Sequence, residues 1–370
     1  MPFCGRRCGY CDFATSALST DRGVAERAKA QYVEAVLAEI EASEPRLART
    51  VYFGGGTPTQ LSADQLLSIL GALRSHGGID PDAEITVEAN PTTAESGLFE
   101  ALRAGGFNRL SMGVQSLDDH LLHALGRTHS AAEAIAAYHL ARAAGFGNIS
   151  LDLMFCLPGQ TLDGFRRDME TLAELGPEHL SLYSLTIEEG TPFAARQARG
   201  QLILPDEETD AQMFELAHDW LPTAGYPAYE ISNFARPGYE SRHNSSYWRN
   251  AEYRGYGPGA ASYVGGRRWT NQPRVERWRA SVFQQIDDPA DCEIRDADGE
   301  RRETMFLGLR RLAGVEVAWF EQRYGAPPET WFADELARLA EAGWLERTTT
   351  AWRLTRAGLL VANRVFMEFV

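Results

Sequence analysis

Short apolar runs alternate along this chain with longer stretches in which apolar residues return every three or four positions. The runs are Thr50–Phe53, Glu84–Ala89, Arg109–Val114, Ile149–Phe155 and His179–Leu185. Between them Val24–Ala42, Ala63–Ser75 and Ala131–Ala144 carry the helical period. Strand–helix alternation predicts βαβ units and a parallel sheet. The right-handed crossover rule then favours an open or closed barrel, with function at the C-terminal ends of the strands. Polar residues cluster there: Gly54, Gly55, Gly56 and Thr57 follow the first run, Glu88 and Asn90 end the second, Gln115 ends the third, and Asp152 lies within the fourth. Past about Leu204 the alternation fades into one helix over Asp206–Leu221 and an aromatic, glycine-rich stretch from Tyr226 to Tyr263. From about Arg301 the pattern predicts helices at Glu303–Leu312 and Trp331–Ala342, a hairpin at Trp344–Leu354 and a last helix at Arg356–Phe369. That order fits a small α+β, winged-helix-like module. The chain is therefore expected to divide into 1–225, 226–290 and 291–370.

Composition narrows the function classes. The 370 residues carry a net charge of −15, the wrong sign for a general nucleic-acid binder. No apolar run approaches the ~18 residues of a membrane span, and no signal peptide is visible, so a cytoplasmic protein is expected. Of five cysteines, three crowd together as Cys4, Cys8 and Cys11, spaced C-x3-C-x2-C. That spacing suits metal in a reducing compartment rather than a disulfide framework. A [4Fe–4S] cube normally takes four thiolates, so three leave one iron open to a non-protein ligand. Cys156 and Cys292 stand alone and read as plain thiols.

The remaining candidates are weaker one by one. A triglycine between strand and helix lets backbone approach a ligand closely, but no P-loop Lys-Ser/Thr follows it. Glu88, Gln115, Arg127 and Asp152 are polar residues at strand ends; carboxylates suit ribose hydroxyls and Arg127 suits a carboxylate, while helix caps and surface ion pairs are the competing explanation. His243 precedes Tyr247 by four positions and Trp248 by five. His and Tyr both occur as axial haem ligands, although a lone His is most often structural.

Together these strings resemble the radical S-adenosylmethionine (SAM) enzymes of the oxygen-independent coproporphyrinogen-III-oxidase-like family, and within it the haem-chaperone (HemW) branch. The matching segments include C-G-R-R-C-G-Y-C-D-F, V-Y-F-G-G-G-T-P-T, N-R-L-S-M-G-V-Q-S, L-P-G-Q-T and R-H-N-S-S-Y-W, and they extend from Cys4 to about Tyr263. The resemblance implies a (β/α)6 partial TIM-like barrel of the α/β class with a C-terminal module. It implies a [4Fe–4S] cluster on Cys4, Cys8 and Cys11, with SAM chelating the open iron and being cleaved reductively to a 5′-deoxyadenosyl radical. Tyr10 would lie beside the adenine, Gly56 and Thr57 at the SAM amino group, and Glu88 against cluster-bound SAM. Gln115, Arg127 and Asp152 match positions that contact a second SAM in the oxidase branch.

Two features separate the branches. The oxidase carries a fourth cysteine two positions after the third, where this chain has Phe13, and H-N-S-S-Y-W matches the chaperone signature H-N-x-x-Y-W. The first reading is accordingly a chaperone that binds haem as cargo, with His243 and then Tyr247 as candidate iron ligands, and passes it to respiratory apo-haemoproteins. Porphyrinogen oxidation, or radical chemistry on another tetrapyrrole, stays open as the alternative, so enzymatic activity is undecided. The cluster requires an electron donor. A homodimer and peripheral contact with membrane haemoproteins remain open. In the family a strand ending in a motif like H-x-P-F-C precedes the first cysteine; here only Met1, Pro2 and Phe3 stand there. The first barrel strand is therefore expected to be missing, which reads as a misassigned start codon, with the cluster loop hanging from a frayed edge.

Overall fold

The computed structural model describes residues 1–370. A two-residue parallel pair, β1 (Phe3–Cys4) and β2 (Ser16–Ala17), brackets the cysteine loop. Helix α1 (Arg22–Ala42) follows, its N-terminus capped by the Asp21 side chain, which accepts from Val24 N. It buries Ala25, Tyr32, Val33, Val36 and Ile40 along one stripe.

The main sheet runs in the order β3 (Ala48–Phe53), β4 (Ile79–Ala89), β5 (Arg109–Gln115), β6 (Ile149–Phe155), β7 (His179–Ser184), β8 (Asn233–Ala235). β3 to β7 are parallel and β8 joins antiparallel. The crossovers are α2 (Ala63–His76), α3 (Ser96–Ala104), α4 (Asp119–Leu125) with α5 (Ala131–Ala143), and α6 (Leu162–Leu175). Capping boxes at Ser62/Gln65 and Ser130/Glu133 start α2 and α5. Along the central strands one face is apolar, with Val87, Leu110, Met112, Leu151 and Leu153 fully buried, and the alternate positions Thr86, Arg109, Ser111 and Ser150 are polar and also buried. Each such apolar side chain contributes ~1.5–3 kcal/mol of burial.

After α7 (Pro192–Gln197) and α8 (Glu207–Thr223), the chain forms β8 and the short helix α9 (Arg242–Trp248). Next come a three-stranded antiparallel sheet of β9 (Ala261–Val264), β10 (Arg267–Thr270) and β11 (Asp291–Ile294), with α10 (Val275–Gln284) between its last two strands. The first sheet thus closes with a strand from beyond residue 225, and the second crosses residue 290. The C-terminal module comprises α11 (Ala297–Gly308), β12 (Val315–Glu316), α12 (Val317–Tyr324), α13 (Glu329–Glu341), the hairpin β13 (Leu345–Arg347) and β14 (Ala351–Leu354), then α14 (Arg356–Leu360) and α15 (Ala362–Phe366). Its own core gathers Met305, Phe320, Phe332, Leu336, Trp352 and Phe369. The expected last helix is broken at Val361, whose φ of −118° and ψ of 24° leave the helical region.

The cysteine loop is tied at its start rather than frayed. Met1 N donates to Gly54 O (2.6 Å), Gly56 N to Met1 O (2.7 Å) and Thr57 N to Phe3 O (2.7 Å). On the other side Ser16 N and Leu18 N donate to Pro2 O and Cys4 O. Phe3 is buried edge-on against Tyr32 at 5.4 Å. Met1, Pro2 and Phe3 thus seat the loop beside the triglycine turn, and β3 is an outer strand of the main sheet.

Candidate functional site

The β1–β2 loop carries Cys4, Cys8 and Cys11, all half-buried with free thiols. Burial pushes the Cys4 and Cys11 thiols up, and the neighbouring cysteines add to this. A counter-charge and a hydroxyl donor are at hand: Arg127 Nη1 lies 3.8 Å from Cys8 Sγ, and Thr57 Oγ1 lies 3.9 Å from Cys4 Sγ. No three acidic, Cys or His side chains converge on a single-ion centre. A four-iron cube binds each thiolate to a different iron, so its three thiolates need not converge on one ion. Gly56 completes the cradle, because a Cβ there would sit 2.6 Å from Phe3 O and 3.1 Å from Cys4 Sγ. Three thiols on one short loop, a guanidinium and backbone this close fit an iron–sulfur cluster, which Cys4, Cys8 and Cys11 would hold.

The residues expected around SAM divide into two groups. Arg127 spans from Cys8 to Gly113 O, to which its Nη2 donates at 2.7 Å. Tyr10 packs edge-on against Phe193 at 6.3 Å and, through its phenol, feels the charge of Arg127. Gln115 ends β5 at a register shift with φ of 71°, a strained backbone that turns its side chain to accept from Tyr183 OH at 2.9 Å. Arg127 and Tyr10 stand near the cysteines, and Gln115 is joined to Tyr183. In the second group, Glu88 Oε2 accepts from Gly55 N at 3.1 Å and Oε1 from Tyr52 OH at 2.6 Å. Asp152 accepts from Ser111 Oγ at 3.3 Å, and burial followed by the Glu88 charge pushes its carboxyl up to about 7. Between these carboxylates lies Arg109, 2% exposed, its Nε without a partner. Its charge favours the ionised forms of both.

His243 and Tyr247 lie one helical turn apart on α9, and His243 Nε2 meets Tyr247 OH at 2.9 Å. His243 Nδ1 meets Thr50 Oγ1 at 2.8 Å, and the ring stacks on Tyr52 with centroids 4.9 Å apart. Burial, then Arg109, holds the imidazole down at about 4, so it is neutral at physiological pH. Glu84, buried on β4, accepts from Arg242 N (3.0 Å) and His243 N (2.9 Å), and so fixes the start of α9. A cleft of about 1850 Å³ runs along β3 and is lined by Gly54, Gly55, Tyr52, Glu88, His243 and Tyr247. The triglycine turn and the His243 motif therefore open into one space. Phe13 also borders it and is 58% exposed.

Residues 1–198 match the radical SAM superfamily model, and residues 296–361 match the HemN C-terminal domain. The heme chaperone HemW of Bacillus subtilis (strain 168) is 38% identical over 100% of this chain and 97% of its own length. That of Lactococcus lactis (strain IL1403) is 37% identical, covering 100% and 96%. The chain belongs to the HemW family of the radical SAM superfamily. The HemW of Escherichia coli (strain K12) is 34% identical over 100% of this chain and 96% of that protein. Among solved structures, coproporphyrinogen III oxidase (HemN) from Escherichia coli superposes with a TM-score of 0.85 at 25% identity, over 100% of this chain and 88% of that one. The α/β radical SAM partial barrel with its C-terminal module is thus the fold of this HemW-family chain, and a [4Fe–4S] cluster and SAM are its cofactors. No helix is long and apolar enough to cross a membrane.

Sequence reasoning about this HemW-family site missed Tyr52, Thr50, Glu84, Arg109 and Tyr183. One signal was legible: Glu84 and Glu88 are four apart on one strand, hence on one face.

Proposed function

We propose that the chain is a haem chaperone that takes haem into the cleft beside β3 and passes it to apo-haemoproteins. The observation that carries this is the meeting of the H-N-S-S-Y-W helix with the triglycine turn in a single cleft, on a chain that matches heme chaperones along its whole length. Haem iron would bind His243 Nε2, which is neutral and so ready to ligate, once Tyr247 OH gives up its hydrogen bond. Tyr247 is the alternative candidate for the iron ligand, 2.9 Å from His243 Nε2. Trp248 and Tyr253 offer flat apolar surface to a macrocycle.

Cys4, Cys8 and Cys11 would hold the cluster, and Gly56, Thr57, Glu88 and Tyr10 would face SAM on its open iron, with Gln115, Arg127 and Asp152 lining the barrel beyond. When bound, cluster and SAM supply a one-electron reductant beside a cleavable sulfonium. An external electron donor must recharge the cluster. A homodimer, contact with membrane haemoproteins and residence in the cytoplasm, where thiols stay reduced, belong to the same proposal.

The test titrates haem into the reconstituted full chain and then assays the same sample for coproporphyrinogen III oxidation. Tight haem binding, weakened at least about tenfold by His243→Ala (~1.4 kcal/mol), with no turnover, is the expected result. The fold shared with coproporphyrinogen III oxidase favours one rival, and turnover at an enzymatic rate would establish it instead.

A further inference from the structure

Tyr52 stands between the two ends of the cleft. Its ring lies flat on His243, with an interplanar angle of 17°. Its hydroxyl donates to Glu88 Oε1 at 2.6 Å, while the other oxygen of Glu88 accepts from Gly55 N. The turn is shaped to this ring as well: a Cβ at Gly54 would fall 2.6 Å from Tyr52 Cε1 and 3.1 Å from Glu88 Oε1. Among the hydrogen-bond and stacking partners of His243 and of Glu88, Tyr52 is the side chain common to both. Glu84 grips the α9 backbone but does not reach the turn, and Arg127 reaches the cysteines but not α9.

Iron ligation would give the imidazole a second arrangement. Without haem, Thr50 and Tyr247 hold its two nitrogens. With iron on Nε2, Tyr247 must leave, and the metal then sets the depth and tilt of the ring. Tyr52, stacked against that ring, has to follow, and its hydroxyl is the tether that holds the Glu88 carboxylate against the triglycine turn. A ligand at the turn constrains the same carboxylate from the other side. A two-state element biased from both ends is what energetic coupling between sites requires.

We propose that Tyr52 is a positioning residue that couples haem occupancy at His243 to SAM occupancy at the triglycine turn, so that each ligand changes the affinity for the other. The inference rests on haem binding at His243 as proposed above. Linkage makes the two effects equal in size.

The experiment measures haem affinity by absorption titration of the cluster-reconstituted full chain, with and without saturating SAM and in the absence of reductant. SAM affinity with and without haem is measured by calorimetry on the same preparation. In the native chain each ligand should shift the other's dissociation constant by about fivefold or more, the lower end of typical coupling, and by the same factor in both directions. Tyr52→Phe keeps the ring on His243 but removes the hydroxyl. It should bind both ligands with the factor reduced to within about twofold of unity. A native chain that binds haem with a SAM-independent constant would overturn the coupling alone, as would a Tyr52→Phe chain that keeps the full factor. Haem binding that is absent, or unaffected by His243→Ala, would overturn the haem reading and the coupling with it.

Discussion

Replacing Glu84 with alanine should detach the His243 motif from the sheet while leaving the cysteine loop intact. Helix α9 has seven residues, too short to persist by its own propensity. Its first turn is held by the Ser241 side chain, which accepts from Asn244 N, and by Glu84, which accepts from Arg242 N and His243 N. Hydrogen bonds to a charged partner contribute ~1.5–3 kcal/mol each, so two amount to about 3–6 kcal/mol. Removing the carboxylate also removes the cost of burying it, several kcal/mol in a dry site and less beside a cleft open to water. A net loss of about 3 kcal/mol follows, concentrated in α9, which corresponds to roughly a hundredfold in an equilibrium constant. Haem affinity should therefore fall by about ten- to a hundredfold. Iron and sulfide per chain should not change, because neither of those backbone bonds touches Cys4, Cys8 or Cys11. Glu84→Gln retains one accepting oxygen and should lose about a third as much, in line with a neutral hydrogen bond. Haem titration, iron and sulfide analysis and hydrogen exchange over residues 241–248 read out the three quantities on one preparation. Unaltered protection of the α9 amides, with haem affinity within twofold of native, would refute the anchoring role of Glu84.

Two further outcomes follow from the same geometry. Gly56→Ala places a methyl 2.6 Å from Phe3 O and 3.1 Å from Cys4 Sγ, so the β1 segment must shift; cluster content should drop severalfold in iron and sulfide analysis while haem affinity holds, and full loading would show that the cradle is looser than these distances allow. Asp152 is raised from 3.8 to about 7 by burial and then by Glu88. A carboxyl raised in the folded state stabilises fully only below its unfolded value, and loses that contribution as pH climbs from about 4 towards 7. At ~1.4 kcal/mol per tenfold change the ceiling is about 4 kcal/mol; partial exposure and sharing with Glu88 reduce this to about 2 kcal/mol. Asp152→Asn should accordingly raise the melting temperature of the cofactor-free chain at about pH 8 but hardly at pH ~4, and an equal shift at both would contradict the burial argument.

Much of this protein was readable from local spacing. The runs at Thr50–Phe53, Arg109–Val114 and Ile149–Phe155 are strands within a residue or two of their expected ends. The C-x3-C-x2-C triad is close in space because it is close in sequence, and His243 reaches Tyr247 because four residues make one helical turn. Boundaries drifted where propensity is weak: the expected helix at Glu303–Leu312 is α11, ending at Gly308, and the last helix breaks at Val361. The cluster loop, expected to fray, is tied down by bonds from Met1, Pro2 and Phe3 that no local pattern announces.

Sequence by itself therefore determined the alternation of elements, the thiol triad and the four-residue spacing of His243 and Tyr247, since periodicity and spacing act over a few residues. Only the tertiary structure decided what those pieces face. Glu84 reaches the backbone 158 residues later at Arg242, Arg127 reaches Cys8 across 119 residues, and β8 enters the main sheet from beyond the barrel's regular repeat. Such meetings depend on how far the sheet curls and which helix covers each face, a balance of many weak non-local contacts. No single residue type encodes that balance, so the link that Tyr52, inside the V-Y-F-G-G-G-T-P-T segment, makes between His243 and Glu88 became visible only in the fold.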